Sequence, residues 1–483
     1  MFPDAACPHP ERSGRIGPGE QGRQRLATGV LQADRWWRAA RSAVLRHPVA
    51  RALGRLLLAV LVGGLLAWAL PLDAWLERRQ DWQLSVLAPA VAADAALVVD
   101  VDEASVRRLG AWPLRRDAYV PAGRWLIDAG AQALVFGMLL VDARTGDEAF
   151  GQWLAEARVP VLLGARSLVG DGQTGPAQPS PPGCLARAWP AWQLPLWARA
   201  DGLVPGQSPG LPIDRVGALS VPLDEDNLLR RLPLWQQAGA LSLPVLPLVA
   251  WQQLHPQAGA LHCAAGADGA AELRSAAGTH WPLDAGHRLQ PWLPRAADLP
   301  APLSLARLDD AAGGRLPPGE ASALAQRVRG RVVFIGSSAA LGDEVPSVGG
   351  ARSATALLAG SYDALAHGRV LVPPQAWASA LLLAVGLLPT LAAGLYRRPA
   401  PLAELGWIAA AVLLLLALDT AWLAWGQQLS AIGWPLAMLG SLAALALRRW
   451  RRLAQAERQR LQQARAEAEA ANRVKSEFLA HVS

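Results

Sequence analysis

The chain is 483 residues long, 52% hydrophobic and 18% charged, with a formal net charge of +7, a length that holds two or three domains. Lys475 is the only lysine, so arginine carries the positive charge; it gathers at Arg12 to Arg55, at Arg397-Arg398 and at Arg448 to Arg452. Each cluster borders a long apolar stretch, a distribution that follows membrane topology and excludes a nucleic-acid surface.

In chain order, the first predicted element is a basic segment over residues 1–55, expected in the cytoplasm. An apolar run over 56–76 is long enough to cross a bilayer and lies too deep in the chain for a signal peptide, so it reads as an uncleaved anchor. Residues 77–374 then form an outer domain. Further apolar stretches at 376–396, 405–425 and 429–447 complete four predicted transmembrane helices, one before that domain and three after it. With every arginine cluster inside, both termini are cytoplasmic and the chain is a multi-pass protein of a bacterial inner membrane, with the lipid bilayer as a partner. Asp419 falls in the third stretch, near its outer end, where it is expected to bond Thr420 or reach the headgroups. Cys184 and Cys263 lie in the outer domain, where they could pair or stay reduced.

The outer domain alternates strand and helix. Ala95 to Asp102 is an apolar, β-branched run of strand length, and 116–130 is amphipathic and closes on Gly130. A second strand follows over 131–141, a second helix over 147–158 and a third strand over 159–165. The Pro-rich middle, 170–195, reads as loop. Short strands and a helix near 246–254 come next, then a strand over 331–338 that runs into a Gly-Ser turn, and a helix ending at Gly368. Continuous apolar strands separated by helices predict an α/β domain with a largely parallel sheet.

Asp102-Glu103, Ser105, Leu109-Gly110, Trp112-Pro113, Arg115-Arg116 and Ala129-Gly130-Ala131 together resemble the opening of the CHASE type 2 family, extracytoplasmic sensory domains attached to cyclases and histidine kinases. Asp224 to Leu234 resembles the family's Asp-x-Asp-Gly-x-x-Arg-Arg segment with Asn227 in place of the Gly, and Arg329 to Ser347 resembles its late strand and turn. The resemblance covers 80–374 and implies a sensor domain for an unidentified extracytoplasmic ligand. The family usually has Asp after the Phe of its second strand; here Phe136 is followed by Gly137, so a site built on that carboxylate would be altered.

The candidate ligand-binding residues are Asp100, Asp102, Ser337, Ser338 and Asp343. The two aspartates end a buried strand, where α/β sheets place their ligands, and Gly336 to Ser338 end another and offer amides to an anion. The same strings resemble the motifs of haloacid-dehalogenase-like phosphohydrolases, which would make Asp100 a nucleophile and Asp102 an acid/base beside a cation. That family's Lys is missing, and Ala104 stands where Thr or Val is expected. Three readings stay open: carboxylates that cap helices and pair with Arg107, Arg115 or Arg116, a non-catalytic ligand site, and phosphatase chemistry. His255, His262, His280, His287 and His367 show no metal-ligand spacing, and no metal is predicted.

From Arg448 the chain is a charged, Ala-rich helix. Leu447, Ala454, Leu461, Ala468 and Lys475 fall at a, and Trp450, Glu457, Ala464, Ala471 and Phe478 at d, a weak coiled-coil seam expected to pair in a cytoplasmic homodimer. Ala471, Asn472, Lys475, Ser476, Phe478, Leu479, Ala480 and Ser483 resemble the entrance to the dimerisation and phosphotransfer helix of sensor histidine kinases. The resemblance places the phosphoacceptor His immediately after Ser483, so no catalytic residue is expected in this chain, and His481 is not the acceptor. It implies the signal-sensing half of a two-component kinase, cut just before its phosphoacceptor. With ATP and Mg, the intact kinase would pass a phosphoryl group to a response regulator. A kinase-less receptor acting by dimerisation and an extracytoplasmic phosphohydrolase are the alternatives.

Overall fold

The computed structural model describes residues 72–87, 94–168, 211–238, 241–266, 270–338, 344–375, 401–428 and 433–482, with shorter pieces within 185–199 and 377–388 and single positions at 57, 61 and 65. One compact unit comprises Pro71–Leu382 and Leu414–Trp434; a second comprises Met1–Leu70, Leu383–Leu413 and Pro435–Ser483.

The first unit is α/β. Its principal elements are α1 (Leu72–Val86), β1 (Ala96–Asp100), α2 (Glu103–Leu109), α3 (Tyr119–Asp128), β2 (Ala133–Leu139), α4 (Asp147–Glu156), β3 (Val161–Leu168), β4 (Ala191–Gln193), β5 (Val216–Ala218), α5 (Leu246–Leu254), β6 (Leu303–Ser304), α6 (Leu305–Ala312), α7 (Pro318–Val328), β7 (Val332–Gly336) and α8 (Ala354–Ala366). The main sheet runs β6-β1-β7-β2-β3, and β3 also pairs with β4 and β5. Every pairing is parallel except β3 with β4. β7 comes last in the chain yet is inserted between β1 and β2, in register with both, so that Asp100 lies opposite Gly336.

A parallel sheet covered on both faces needs apolar residues at successive positions, and β7 is buried at all five. Alternation then sorts them. Leu97, Val99, Val333 and Ile335 pack with α3, α4, α6 and α7, while Ala96, Val332 and Phe334 pack on the other face with α5 and α8. The first face centres on Phe136, which has no exposed surface. Tyr119, Phe150 and Trp153 meet its ring edge-on at centroid distances of 5.7, 5.4 and 6.4 Å. Each such pair adds about 0.5–1.5 kcal/mol to the burial itself.

Part of the predicted loop is strand. Leu185–Trp189 pairs in parallel with Trp235–Ala238, and β4 adds to the edge of β3. Proline blocks strands only where an N–H must be donated, and Leu185 to Trp189 contain none. Cys263, on a strand over Leu261–Ala265, is disulfide-bonded; Cys7 and Cys184 lie outside the described residues.

The four predicted transmembrane helices are overturned. Among the described residues no helix is long and apolar enough to cross a membrane, and no topology follows from them. Helix α9 (Pro401–Ala424) contains Glu404 and Asp419. Asp419 does not bond Thr420: it forms an ion pair with Arg79 of α1 at 2.7 Å, while Thr420 accepts from Gln83 and donates to Leu416 O. Leu423, one turn on, is buried with Leu84 and Leu371. Most of the stretch at 429–447 falls in α10 (Gly433–Val482), which runs for 50 residues into the charged sequence. Most of 56–76 and most of 376–396 lie outside the described residues, and 72–76 belong to α1.

Replacing Phe136 with Ala empties the meeting point of three rings and should destabilise the domain by about 3–5 kcal/mol, read from the midpoint of urea unfolding.

Candidate functional site

The neighbouring ends of β1 and β7 bring four of the five candidate residues together. Asp100 accepts from the Ser338 amide at 2.7 Å on one oxygen and from the Ser338 hydroxyl at 2.5 Å on the other. Ser337 donates to Val101 O at 3.0 Å. Asp102 is the N-cap of α2, accepting from the Ser105 amide at 2.8 Å, the Ser105 hydroxyl at 2.6 Å and the Ser304 hydroxyl at 3.0 Å. Ser105 is buried and in turn accepts from the Ala306 amide at 3.0 Å, which ties α2 to α6. Burial opposes the charge on Asp102, but the hydrogen bonds from Ser105 and Ser304 outweigh it and hold the carboxyl below its ordinary value. Asp343 lies outside the described residues.

These carboxylates are engaged by their own turn. The capping reading holds for Asp102 alone, since Asp100 is held by Ser338, and the arginines pair elsewhere: Arg107 with Glu103, Arg115 with Asp117 and Arg116 with Asp147. A nucleophilic Asp100 would need an oxygen aimed at substrate and a cation beside it. Both of its oxygens are held by Ser338, and among the described residues no ion pair reaches Asp100 or Asp102. At Gly137 a Cβ would meet Thr355 Oγ1 at 3.3 Å and Leu358 Cδ1 at 3.5 Å, so α8 occupies the space into which the family's carboxylate would project.

A cavity of about 260 Å³ opens on the α8 face of the sheet. Ala96 and Val98 of β1 form one wall, Ala356, Ala359 and Gly360 of α8 a second, and the segment from Pro294 to Pro302 a third. Two charged residues reach it, Arg352 just before α8 and Asp363 in its last turns. Burial pushes the Arg352 guanidinium down to about 10. Burial also raises the Asp363 carboxyl, with Arg369 and His367 working against it. Asp94, Asp363 and His367 could each turn a ligand atom towards one cation. The Arg369 guanidinium, paired with Asp363, already stands there and would repel a metal ion.

The Asp224-to-Leu234 segment makes the third feature. Asn227 has φ of +62°, the left-handed conformation that favours Gly and that Asn tolerates next best, which explains the exchange at this position. The turn aims Asp224 and Asp226 at Arg230, which is buried and also bonded twice to Asp81 of α1, at 2.9 and 2.6 Å. Arg231 reaches Asp224, Asp284 and Glu77, the last of these also on α1. The hydrogen bond from Arg230 pulls Asp226 down to about 2. Around the cavity, Arg295 donates to Ser85 O at 2.6 Å and Val86 O at 3.0 Å, so the cavity wall is bonded to the end of α1.

Sequence reasoning missed Arg230, Asp81, Arg295 and Arg352. The paired arginines at 230–231 were the one visible signal; nothing local distinguishes Arg352 from an exposed arginine. Of the phosphotransfer-helix residues, Asn472 is exposed on α10, and the side chains of Lys475, Ser476, Phe478 and Leu479 lie outside the described residues. A family model described as the CHASE2 domain matches residues 55–417. No curated protein and no solved structure matches the chain.

Asp102→Ala removes the α2 cap and should cost about 1–2 kcal/mol. Because the folded-state value of Asp102 is depressed, its contribution is complete above the unfolded value near 3.8 and is lost as pH falls through the folded one. Urea unfolding of wild type and variant should therefore differ at pH 7 and converge in strong acid.

Proposed function

Since the chain belongs to the CHASE2 domain family, we propose that its extracytoplasmic sensor domain is the input half of a membrane-associated two-component histidine kinase. A ligand in the cavity beside β1 is its signal, and α1 is its first mechanical output. The observation that carries this reading is the double attachment of α1. Arg230 holds its middle through Asp81, and Arg295, next to the cavity-lining Pro294, holds its C-terminal carbonyls. A ligand that favours one position of the Pro294-to-Pro302 wall therefore favours one position of α1, which is all that a population shift requires.

The kinase side of the reading rests on the likeness of Asn472 to Ser483 to a phosphotransfer-helix entrance, of which Asn472 to Val482 lie on α10. Pairing of two copies along the a and d positions, where Leu461 is 60% exposed, would make the functional dimer. ATP, Mg and a response regulator belong to the intact kinase under this proposal. The engagement of Asp100 by Ser338 speaks against the phosphohydrolase alternative.

The test is a chimera in which this chain precedes the phosphotransfer and ATP-binding domains of a sensor kinase, joined in the register of Asn472, Lys475 and Phe478. Autophosphorylation is measured at matched protein levels. Asp81→Asn and Arg295→Ala should each change basal phosphorylation several-fold while the domain stays folded. Phosphorylation identical to wild type in both variants would refute α1 as the output, and a chimera that never dimerises would refute the kinase reading.

A further inference from the structure

Resting on the ligand-sensing reading above, we propose that the cavity beside β1 binds a small organic carboxylate, with an anionic head at Arg352 and a short aliphatic or aromatic body along Ala356, Ala359 and Gly360. Arg352 is 4% exposed. Its Nη2 donates to the carbonyls of Pro294 at 2.9 Å and Val348 at 3.2 Å, while Nε and Nη1 have no hydrogen-bond partner. Among the described residues no carboxylate lies within ion-pair distance of it. The contrast with Arg230, equally buried and held by three aspartates, is direct. A buried guanidinium without a counter-charge is strongly unfavourable unless an anion comes to it.

The surroundings select the rest of the ligand. The first turn of α8, a helix of 13 residues, adjoins Arg352, and its N-terminus adds positive potential at the same end of the cavity. Ser353 occupies only the Ala356 amide there. Asp363 lies about 15 Å further along the helix and is neutralised by Arg369, so it neither repels the head nor calls for a second cation. Between the two ends the walls are Ala, Val, Leu, Pro and Gly. At about 260 Å³ the volume falls just below the ~300–1,000 Å³ of drug-sized sites, which sets the ligand at the size of a short acid.

Titration calorimetry of the purified full chain with octanoate, octanol and octylamine tests this. Octanoate should bind, octanol roughly tenfold or more weaker, and octylamine not at all. Arg352→Met should bring octanoate down to the affinity of octanol. Removing an uncompensated charge should leave its melting temperature unchanged or higher. Ala356→Leu fills the cavity while keeping the charge and should abolish binding of both. Equal affinity for octanoate and octanol, or octanoate binding that survives Arg352→Met, would overturn the carboxylate assignment and leave the sensing reading standing. No heat from any of the three compounds would remove the cavity as the site. Failure of the sensing reading shows separately, as octanoate that binds but leaves autophosphorylation of the chimera unchanged.

Discussion

A guanidinium in a protein interior is costly unless carboxylates accompany it, and Arg230 is accompanied from two distant parts of the chain. Asp224 and Asp226 arrive on its own turn, and Asp81 arrives on α1. Burial works against the charge on Arg230, yet the hydrogen bonds to Asp226 and Asp81 outweigh it and raise its value. The position of α1 on the domain is therefore set by charge geometry, which is directional, more than by apolar contact, which slides. Arg79 with Asp419 and Arg231 with Glu77 extend the same arrangement along the helix. A helix held in this way has a defined position.

Arg352 shows the opposite arrangement. It comes from the same chemistry and is buried to the same degree, but only two carbonyls greet it. The two arginines stand in contrast: Arg230 fixes a neighbouring helix through three carboxylates, and Arg352 lines the cavity with Nε and Nη1 unbonded. Both sit within reach of α1, the first directly and the second through the Pro294 and Arg295 segment.

The α/β class and the parallel sheet were legible in the sequence, because strands buried on both faces must be written as unbroken apolar runs. Ala95 to Asp102 and Val332 to Gly336 are such runs. The insertion of β7 between β1 and β2 was not legible, since strand order depends on contacts between residues about two hundred positions apart. At the candidate site, Asp100, Asp102, Ser337 and Ser338 were correctly drawn together by their places at strand ends. Capping by Asp102 was among the open readings, but the hold of Ser338 on Asp100 was not, because it depends on how the turn after β7 folds back on β1. The apolar stretches misled because hydropathy averages over a window and does not register the partner of a charged position such as Asp419, which pairs with Arg79. Arg352 left no trace at all, since burial is a property of the fold around it.

The close approach of α8 to β7 bears on which part of the cavity can yield. A Cβ at Gly336 would stand 1.7 Å from Thr355 Oγ1, so helix and strand touch with no side chain between them as a cushion. β1 is hydrogen-bonded to β7 along its whole length. Two of the three walls are thus one solid piece. The third, the proline-studded stretch from Pro294 to Pro302, carries no strand and is joined to α1 by the side chain of Arg295.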